Sequence, residues 1–246
     1  MILDPGRILF SLNTENCPNK SYGFVKSNFF ELFANKSDWT YSIKCKIGEY
    51  QNYLTLISLE GVNLSLDLPT VETFSFRYQD GLDQKNCSFK VESLADSLNE
   101  FHIITLTYNF IDNLYAIYFD GNPLHAVNLT SRTEIITKKI KLCSICRHYL
   151  TKATPQVETT GIDISNIIFA NKNLAPIEIQ QYFHPTQLLD TNYYGRAILK
   201  NEYKMEINCL YNFVDNINGK VWDLTENNNF FFTSLHQHDR VGYSVI

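Results

Sequence analysis

The sequence predicts an all-β protein, a sandwich or barrel of short antiparallel strands interrupted by one short helix near 174–183. Three observations carry this. Apolar and polar residues alternate over many runs, most cleanly from Trp39. There Trp39, Tyr41, Ile43, Cys45 and Ile47 share one face, and Thr40, Ser42, Lys44 and Lys46 the other, which is the two-residue period of a pleated strand. Phe (17) and Tyr (15) are abundant and Ala-rich helical stretches are lacking, a composition that fits half-buried pleated surfaces. Gly, Pro, Asn and Asp punctuate the runs about every eight to twelve residues, as turns between short strands require.

Taken in order, the apolar run 8–12 is the expected first strand. The stretch 22–33 reads as the next, ending at the turn Asn35-Lys36-Ser37-Asp38. After the Trp39 strand come runs at 53–59, 63–68, 74–78 and 88–91. Then FHIITLTYNFIDNLYAIYFDGNPL (101–124) reads as a hairpin. His102, Ile104, Leu106 and Tyr108 form its dry face; Ile103, Thr105 and Thr107 form a wetter one. Asn113 falls in the turn, and Asp120-Gly121-Asn122-Pro123 supplies the turn that follows. Further strands are expected at 134–145 and 161–169.

The helix is announced by Pro176, suited to a first helical position after Asn173 or Ala175. Ile179, Tyr182 and Phe183 then share a face at three- and four-residue spacing, and Pro185 ends it. Residues 186–203 are less regular and are expected to lie over the surface. INCLYNFVDNINGKVWDLTENNNFFF near the C-terminus faintly echoes ILFSLN…SNFFELF near the N-terminus. The roughly 40 residues after Met205 are too few to bury a core alone. The chain is therefore read as one domain over 1–246, with 205–232 returning to pair with the N-terminal strand.

A net charge of −5 argues against a nucleic-acid surface, which needs a basic patch. The run Lys138-Lys139-Ile140-Lys141 reads as the solvated face of a strand. No apolar run approaches the ~20 residues that span a bilayer, and MILDPGRILF lacks the basic-then-apolar pattern of a secretory signal. With Met1 as the natural start, the expectation is folding in a reducing cytoplasm. Cys17, Cys45, Cys87, Cys143, Cys146 and Cys209 are then free thiols. The Asn-x-Ser/Thr triplets at Asn19, Asn35, Asn63, Asn86 and Asn128 would stay bare.

Catalytic chemistry is sought and not found. Asp163 is the best-placed acid but has no partner carboxylate beside it, and a role as a turn or backbone acceptor suits it better. Glu92, Asp96 and Glu100 read as a polar helical turn or loop rather than an acid–base pair. Cys143-Ser144-Ile145-Cys146 has the C-x-x-C form of zinc and redox sites, with His148 as its only close further ligand. It continues a strand, which puts the thiols on opposite faces and favours plain core or surface cysteines. His236-Gln237-His238-Asp239 could hold a metal on one strand face, though a solvated tail explains it better. No nucleophile elbow, phosphate loop or nucleotide fingerprint occurs.

Five pieces of sequence together resemble the concanavalin A-like lectin/glucanase superfamily, in its laminin-G-like and pentraxin-like branch. Ser37-Asp38-Trp39-Thr40-Tyr41-Ser42-Ile43 is similar to that family's inward Trp strand. The 101–121 hairpin resembles its W-H-x-I-A-x-T-Y…L-Y-x-D-G, with Phe101 where Trp is usual. Residues 161–169 are similar to G-x-I-D-x-V-x-I, and 174–179 to the closing L-S-x-x-E-I helix. Leu210-Tyr211-Asn212-Phe213 through Asn229 is similar to the Y-x-F…V-x-D-x-S-G-N-x-N segment that opens such domains; here it comes at the end. The resemblance implies two antiparallel sheets packed as a jelly roll. It implies a structural role for Asp163, and the family's catalytic E-x-D-x-x-E strand is not found.

Many such relatives bind calcium through rim loops, which makes Asp112, Asp120, Asn122 and Asp223 candidates by position; turn formation explains each as well. Catalytic and cofactor residues are therefore expected to be none, and calcium is not readable. Sugar recognition would want an exposed aromatic, and Tyr149, Tyr193, Tyr194 and Trp222 are candidates by type. Trp39 is assigned to the core.

The functional expectation is a non-enzymatic lectin-like sandwich serving as a structural or adhesive virion component, such as a phage decoration, tail or fibre protein. It would engage other virion proteins and host glycans, localise to the virion without a signal peptide, and bind no nucleic acid. A composition rich in Asn, Ile, Lys, Tyr and Phe, as an AT-rich genome yields, fits this. The alternatives are a carbohydrate-binding module or adhesin of a cell surface, and a glycoside hydrolase with unfamiliar acids. Homo-oligomers are common among such sandwiches, but no heptad or apolar strip selects a symmetry.

Overall fold

Strands dominate, as the alternation demands. In the computed structural model, the residues described are 8–9, 22–25, 28–47, 54–140, 142–148, 162–183, 188–191, 197–204, 206–217, 220–225, 231–233 and 244–245. The strands are β1 (Ile8–Leu9), β2 (Tyr22–Val25), β3 (Trp39–Ile47), β4 (Leu54–Glu60), β5 (Leu64–Thr70) and β6 (Thr73–Asp80). Next come β7 (Asp83–Lys90), β8 (Phe101–Asn109), β9 (Leu114–Phe119), β10 (Asn122–Asn128), β11 (Leu142–His148) and β12 (Ile162–Ala170). The last are β13 (Leu189–Thr191), β14 (Ala197–Leu199), β15 (Ile207–Ile217), β16 (Lys220–Asp223), β17 (Phe231–Thr233) and β18 (Ser244–Val245). Helices are short: α1 (Glu92–Asp96), α2 (Pro176–Phe183) and α3 (Asn201–Lys204), with 3-10 turns at Asn28–Ala34 and Thr137–Lys139.

One antiparallel ladder runs β10-β9-β8-β3-β12-β15-β16-β17-β2-β11-β4-β5-β6-β7. Side chains far apart along it nevertheless touch. The Tyr41 hydroxyl on β3 donates to the Leu56 carbonyl on β4 at 3.0 Å. Tyr115 on β9 meets Phe76 on β6 edge-on at 5.3 Å, and Phe89 on β7 stacks on His125 of β10 at 4.6 Å. The ladder has therefore folded over on itself into an antiparallel sandwich, with the alternating apolar faces turned inward. Trp39, Tyr41, Ile43 and Cys45 are fully buried there. Asn35, in a left-handed conformation at φ 59°, serves the polar edges of this aromatic core. It accepts from Trp39 Nε1 at 3.0 Å and donates to the Tyr115 hydroxyl at 2.6 Å and the Thr133 carbonyl at 3.2 Å.

The second face of β8 is not wet. Ile103, Thr105 and Thr107 are as buried as their neighbours, because α2 and the chain leading into it cover this layer from outside. Ile179, Tyr182 and Phe183 pack there with Ile103, Ile168 and Leu210. The polar groups beneath are paired: the Ser42 and Thr105 hydroxyls lie 2.7 Å apart, and Thr40 donates to the Lys172 carbonyl and accepts from Leu174 N–H. The helix itself starts where Pro176 predicts. Glu178 reaches back to the Ala175 N–H at 2.8 Å, the reciprocal half of a capping box.

Other expectations need correction. Residues 22–33 are not one strand: β2 ends at Val25, and the Phe30–Phe33 spacing belongs to a 3-10 turn whose period of three buries both rings. Residues 134–145 are not one strand either. Thr133, Ile135 and Thr137 do alternate inward, but along a segment outside the ladder, bonded to Ala34 at Ile135, that turns 3-10 over Thr137–Lys139 before β11 begins. The Asp120-Gly121 turn is tighter than expected. Asn122 pairs directly with Phe119, leaving a two-residue loop with φ of 49° and 80°, so Asn122-Pro123 opens a further strand, β10. That strand edges the ladder, where a proline costs no sheet bond. At the C-terminal end, β17 pairs with β2, β15 with β12, and β18 with β1.

Candidate functional site

The sheet β4-β5-β6-β7 turns a polar face away from the core, buried at Thr55, Ser65 and Asp67 and exposed at Gln84, Asn86 and Ser88 on β7. Leu64, Leu66, Phe74, Phe76 and Tyr78 point into the core, so the intervening residues point away. Register lines these up across the strands: Ser65 faces Arg77 and Asp67 faces Ser75, while Ser75, Arg77 and Gln79 face Ser88, Asn86 and Gln84. Asp67, fully buried, accepts from Thr55 at 2.7 Å, Ser65 at 2.9 Å and the half-exposed Arg77 guanidinium at 3.1 Å. Asn86 accepts from Ser75 at 2.9 Å.

At one end this stripe runs into a groove of about 420 Å³. The β4–β5 turn (Gly61, Val62, Asn63) forms one wall and the Gln79–Gln84 pair the floor. Glu134, Ile136 and Lys139, from the segment before β11, close the other side. The walls meet because Gly61 lacks a side chain: at φ 102°, a Cβ there would sit 2.0 Å from the Lys139 carbonyl oxygen.

The far wall is pinned from below. Buried Asp80 accepts from the N–H and hydroxyl of Thr130, the Ser131 N–H and the Lys85 ammonium. Burial alone would raise this carboxyl; those four donors together hold it down to about 2. Gly81 N–H donates to the Thr133 hydroxyl, Thr137 donates to Glu31, and Lys36 pairs with Glu134 at 2.7 Å. Asn63 and Gln79 spend amide N–H groups on the Tyr78 and Gly81 carbonyls, at 2.6 and 3.0 Å, which fixes where their amide oxygens point. The groove is thus built in advance of any ligand. Its lining is hydrogen-bonding amides and charges with little apolar surface, unlike the mostly apolar pockets that take drug-like molecules.

Sequence candidates fall elsewhere. Among the described residues, no three His, Cys, Asp or Glu side chains converge on a metal position. Asp120 accepts from the Ile103 N–H and pairs with His102, Asp223 accepts from Leu210 and Thr225, and Asp112 caps its own turn through Asn109. Asn122 is exposed at the start of β10. Asp163 lies opposite Lys46 on β12, and only its backbone is described. Cys143 is fully buried, and burial pushes its thiol far up, out of reactive range. Cys146 and His148 lie on β11 and Trp222 on β16, described in backbone alone. Tyr149, Tyr193, Tyr194, Cys17, Asn19 and 236–239 lie outside the described residues. Glu92 and Asp96 sit on α1, and Trp39 is core.

The groove residues themselves were not singled out by sequence reasoning. Their signal was present in Arg77-x-Gln79 and Gln84-x-Asn86-x-Ser88, polar positions alternating with core ones, but a merely wet sheet face gives the same pattern.

No known protein-family model matches the sequence, and neither does any curated protein. Solved structures do. A protein from Bacteroides ovatus ATCC 8483, provisionally named a carbohydrate binding protein, superposes with a TM-score of 0.56 at 14% identity. The match covers 88% of this chain and 55% of that one. The binding domain of botulinum neurotoxin serotype D/C matches with a TM-score of 0.50 at 13% identity, covering 78% of this chain and 49% of its own. A type C botulinum neurotoxin structure, described for cell entry dependent upon interaction with two ganglioside molecules, gives 0.51 at 13% identity over 80% and 49%. The chain spans about half the length of these structures, and at such identities the likeness is one of fold: the sandwich is shared.

Proposed function

We propose that this chain is a carbohydrate-binding β-sandwich of the concanavalin A-like jelly-roll type, without catalytic activity, and that the groove between Gly61–Asn63 and Glu134–Lys139 is where saccharide binds. The observation that carries the reading is the groove's lining. Asn63, Gln79 and Gln84 place planar amides, each donor and acceptor at once, along a preformed depression. Sugar hydroxyls are likewise donor and acceptor, and neighbouring ones match an amide edge. Among the described residues the lining contains a single carboxylate, Glu134, whereas retaining hydrolysis uses two, about 5–5.5 Å apart. Fold-level kinship to structures named as binding domains supports the same reading as analogy.

A glycan microarray followed by calorimetry tests it. Some saccharide is expected to bind with sub-millimolar affinity, and joint substitution of Gln79 and Gln84 by Ala to weaken it about tenfold, or ~1.4 kcal/mol. No binding to any saccharide would end the proposal. We further propose display on a virion, where a lectin-like domain would serve attachment or decoration. Mass spectrometry of purified particles tests that, and absence from every particle preparation would exclude it.

A further inference from the structure

Among the described side chains, the charges around the groove do not cancel. Lys36 neutralises Glu134 at 2.7 Å, and Glu31 accepts from Thr137 just behind the wall. Lys139 lines the groove with no carboxylate partner among the described residues, and exposed Lys138 precedes it. Of the described side chains, three lysines (36, 138 and 139) stand against two glutamates (31 and 134). This leaves one positive charge in excess, on a chain whose net charge is −5. Asp83, the next acid along, alternates to the other face of β7 from Gln84. Asn63 and Gln79 each use one amide N–H internally, which leaves the amide oxygen and the second N–H of each for a ligand; Gln84, exposed, offers both halves of its amide.

We propose that the groove selects an acidic saccharide unit. A carboxylate or sulfate lies at Lys139, and neighbouring hydroxyls donate to the amide oxygens of Asn63 and Gln79. This rests on the carbohydrate-binding reading above and adds the ligand's charge to it. The lysine acts as a point charge and not as a planar fork, so it accepts either anion, and the amides supply the orientation. Glu134, paired with Lys36 and five residues before Lys139 on the same wall, faces the same space and disfavours an anion at its own end of that wall, which fixes the polarity of the bound sugar.

The test is an array of matched pairs: sialylated and desialylated glycans, oligouronates and their methyl esters, sulfated oligosaccharides and their desulfated forms. At least one acidic member is expected to bind tenfold or more tighter than its neutral partner at 50 mM NaCl, with the gap closing at 500 mM. K139Q removes the preference while K139R keeps most of it, and both melt like the parent because Lys139 is exposed. Which pair responds tells a carboxylate from a sulfate. Neutral members binding as well as acidic ones would overturn the charge assignment and leave carbohydrate binding standing. Silence across the whole array would overturn both.

Discussion

His102 is set to hold its second ring proton more tightly than free imidazole for a geometric reason: both of its ring nitrogens face acceptors. Nδ1 lies 2.7 Å from the Asp120 carboxylate and Nε2 lies 3.1 Å from the Ser97 carbonyl. Neutral imidazole has only one N–H to offer, so the doubly protonated ring fits best. The hydrogen bond to Asp120 raises its pKa above 6.5, outweighing burial, which pulls the other way. The linkage sign follows. Below about pH 6.5 both folded and unfolded chains hold the proton, and the stabilisation is fully present. Above it the unfolded chain lets go first, so the stabilisation is lost as pH rises through the folded value. Urea titrations between pH 5.5 and 9 are expected to show the parent's advantage over His102→Gln shrinking as pH rises; an advantage that grows would refute the charged ring. Gly61 is the other residue whose identity geometry dictates. Gly61→Ala forces a Cβ against the Lys139 carbonyl at a φ that L-residues rarely adopt, and is expected to cost about 1–3 kcal/mol. It should also displace the groove wall, so calorimetry should find saccharide binding lost at temperatures where circular dichroism reports the chain still folded.

Elements in this protein are set by what covers them more than by their own pattern. Helix α2 is a case where local and tertiary signals agree. Pro176 opens it, Glu178 caps it, and Lys172 bridges Glu178 at 2.8 Å and Glu206 at 3.2 Å. Glu178→Ala removes both the cap and the bridge, and should lower unfolding free energy by about 0.5–2 kcal/mol in urea. Saccharide affinity should not move, since α2 lies on the opposite layer; a parallel loss of binding would mean the two layers are coupled. Where the two signals part, the sequence misleads for identifiable reasons. The β3 and β8 strands were legible because one face of each is continuously apolar, but Thr105 and Thr107 look solvent-facing until α2 is known to sit above them. Ile135 and Thr137 alternate like a strand yet stay outside the ladder, bonding instead to Ala34 and Glu31. Strand β10 was hidden by Gly121 and Pro123, residues that close a turn and are tolerated on an edge strand alike. The groove was invisible for a related reason: Gln79 and Gln84 meet Glu134 and Lys139 only through chain closure about 50 residues apart.

At the scale of the whole molecule, the ladder makes the two layers one object. Strand β3 lies between β8 and β12, whose partner residues are roughly 60 and 120 positions away, and Tyr41 crosses from it to β4 in the facing layer. The main core belongs to neither layer alone, because the aromatic cluster of Trp39, Tyr41, Phe76 and Tyr115 draws on both. Separate unfolding would expose that cluster from one side, at roughly 25 cal/mol for each Å² of apolar surface laid bare. Burial, not the charge pairs, thus enforces cooperativity: the Lys36–Glu134 pair is more than half exposed and stabilises little. The expected behaviour is therefore that of a single domain. Trp39 sits at the centre of the core, so fluorescence followed with far-ultraviolet circular dichroism reads packing and strand content together. In urea the two are expected to give one coincident transition. Refolding should take milliseconds to seconds, because pairings this distant in sequence close large loops before any contact compensates. Fluorescence lost at a lower urea concentration than strand signal would mean that one layer survives alone, and saccharide binding measured there would tell whether the groove's 134–139 wall, tied to Glu31 and Lys36, survives with it.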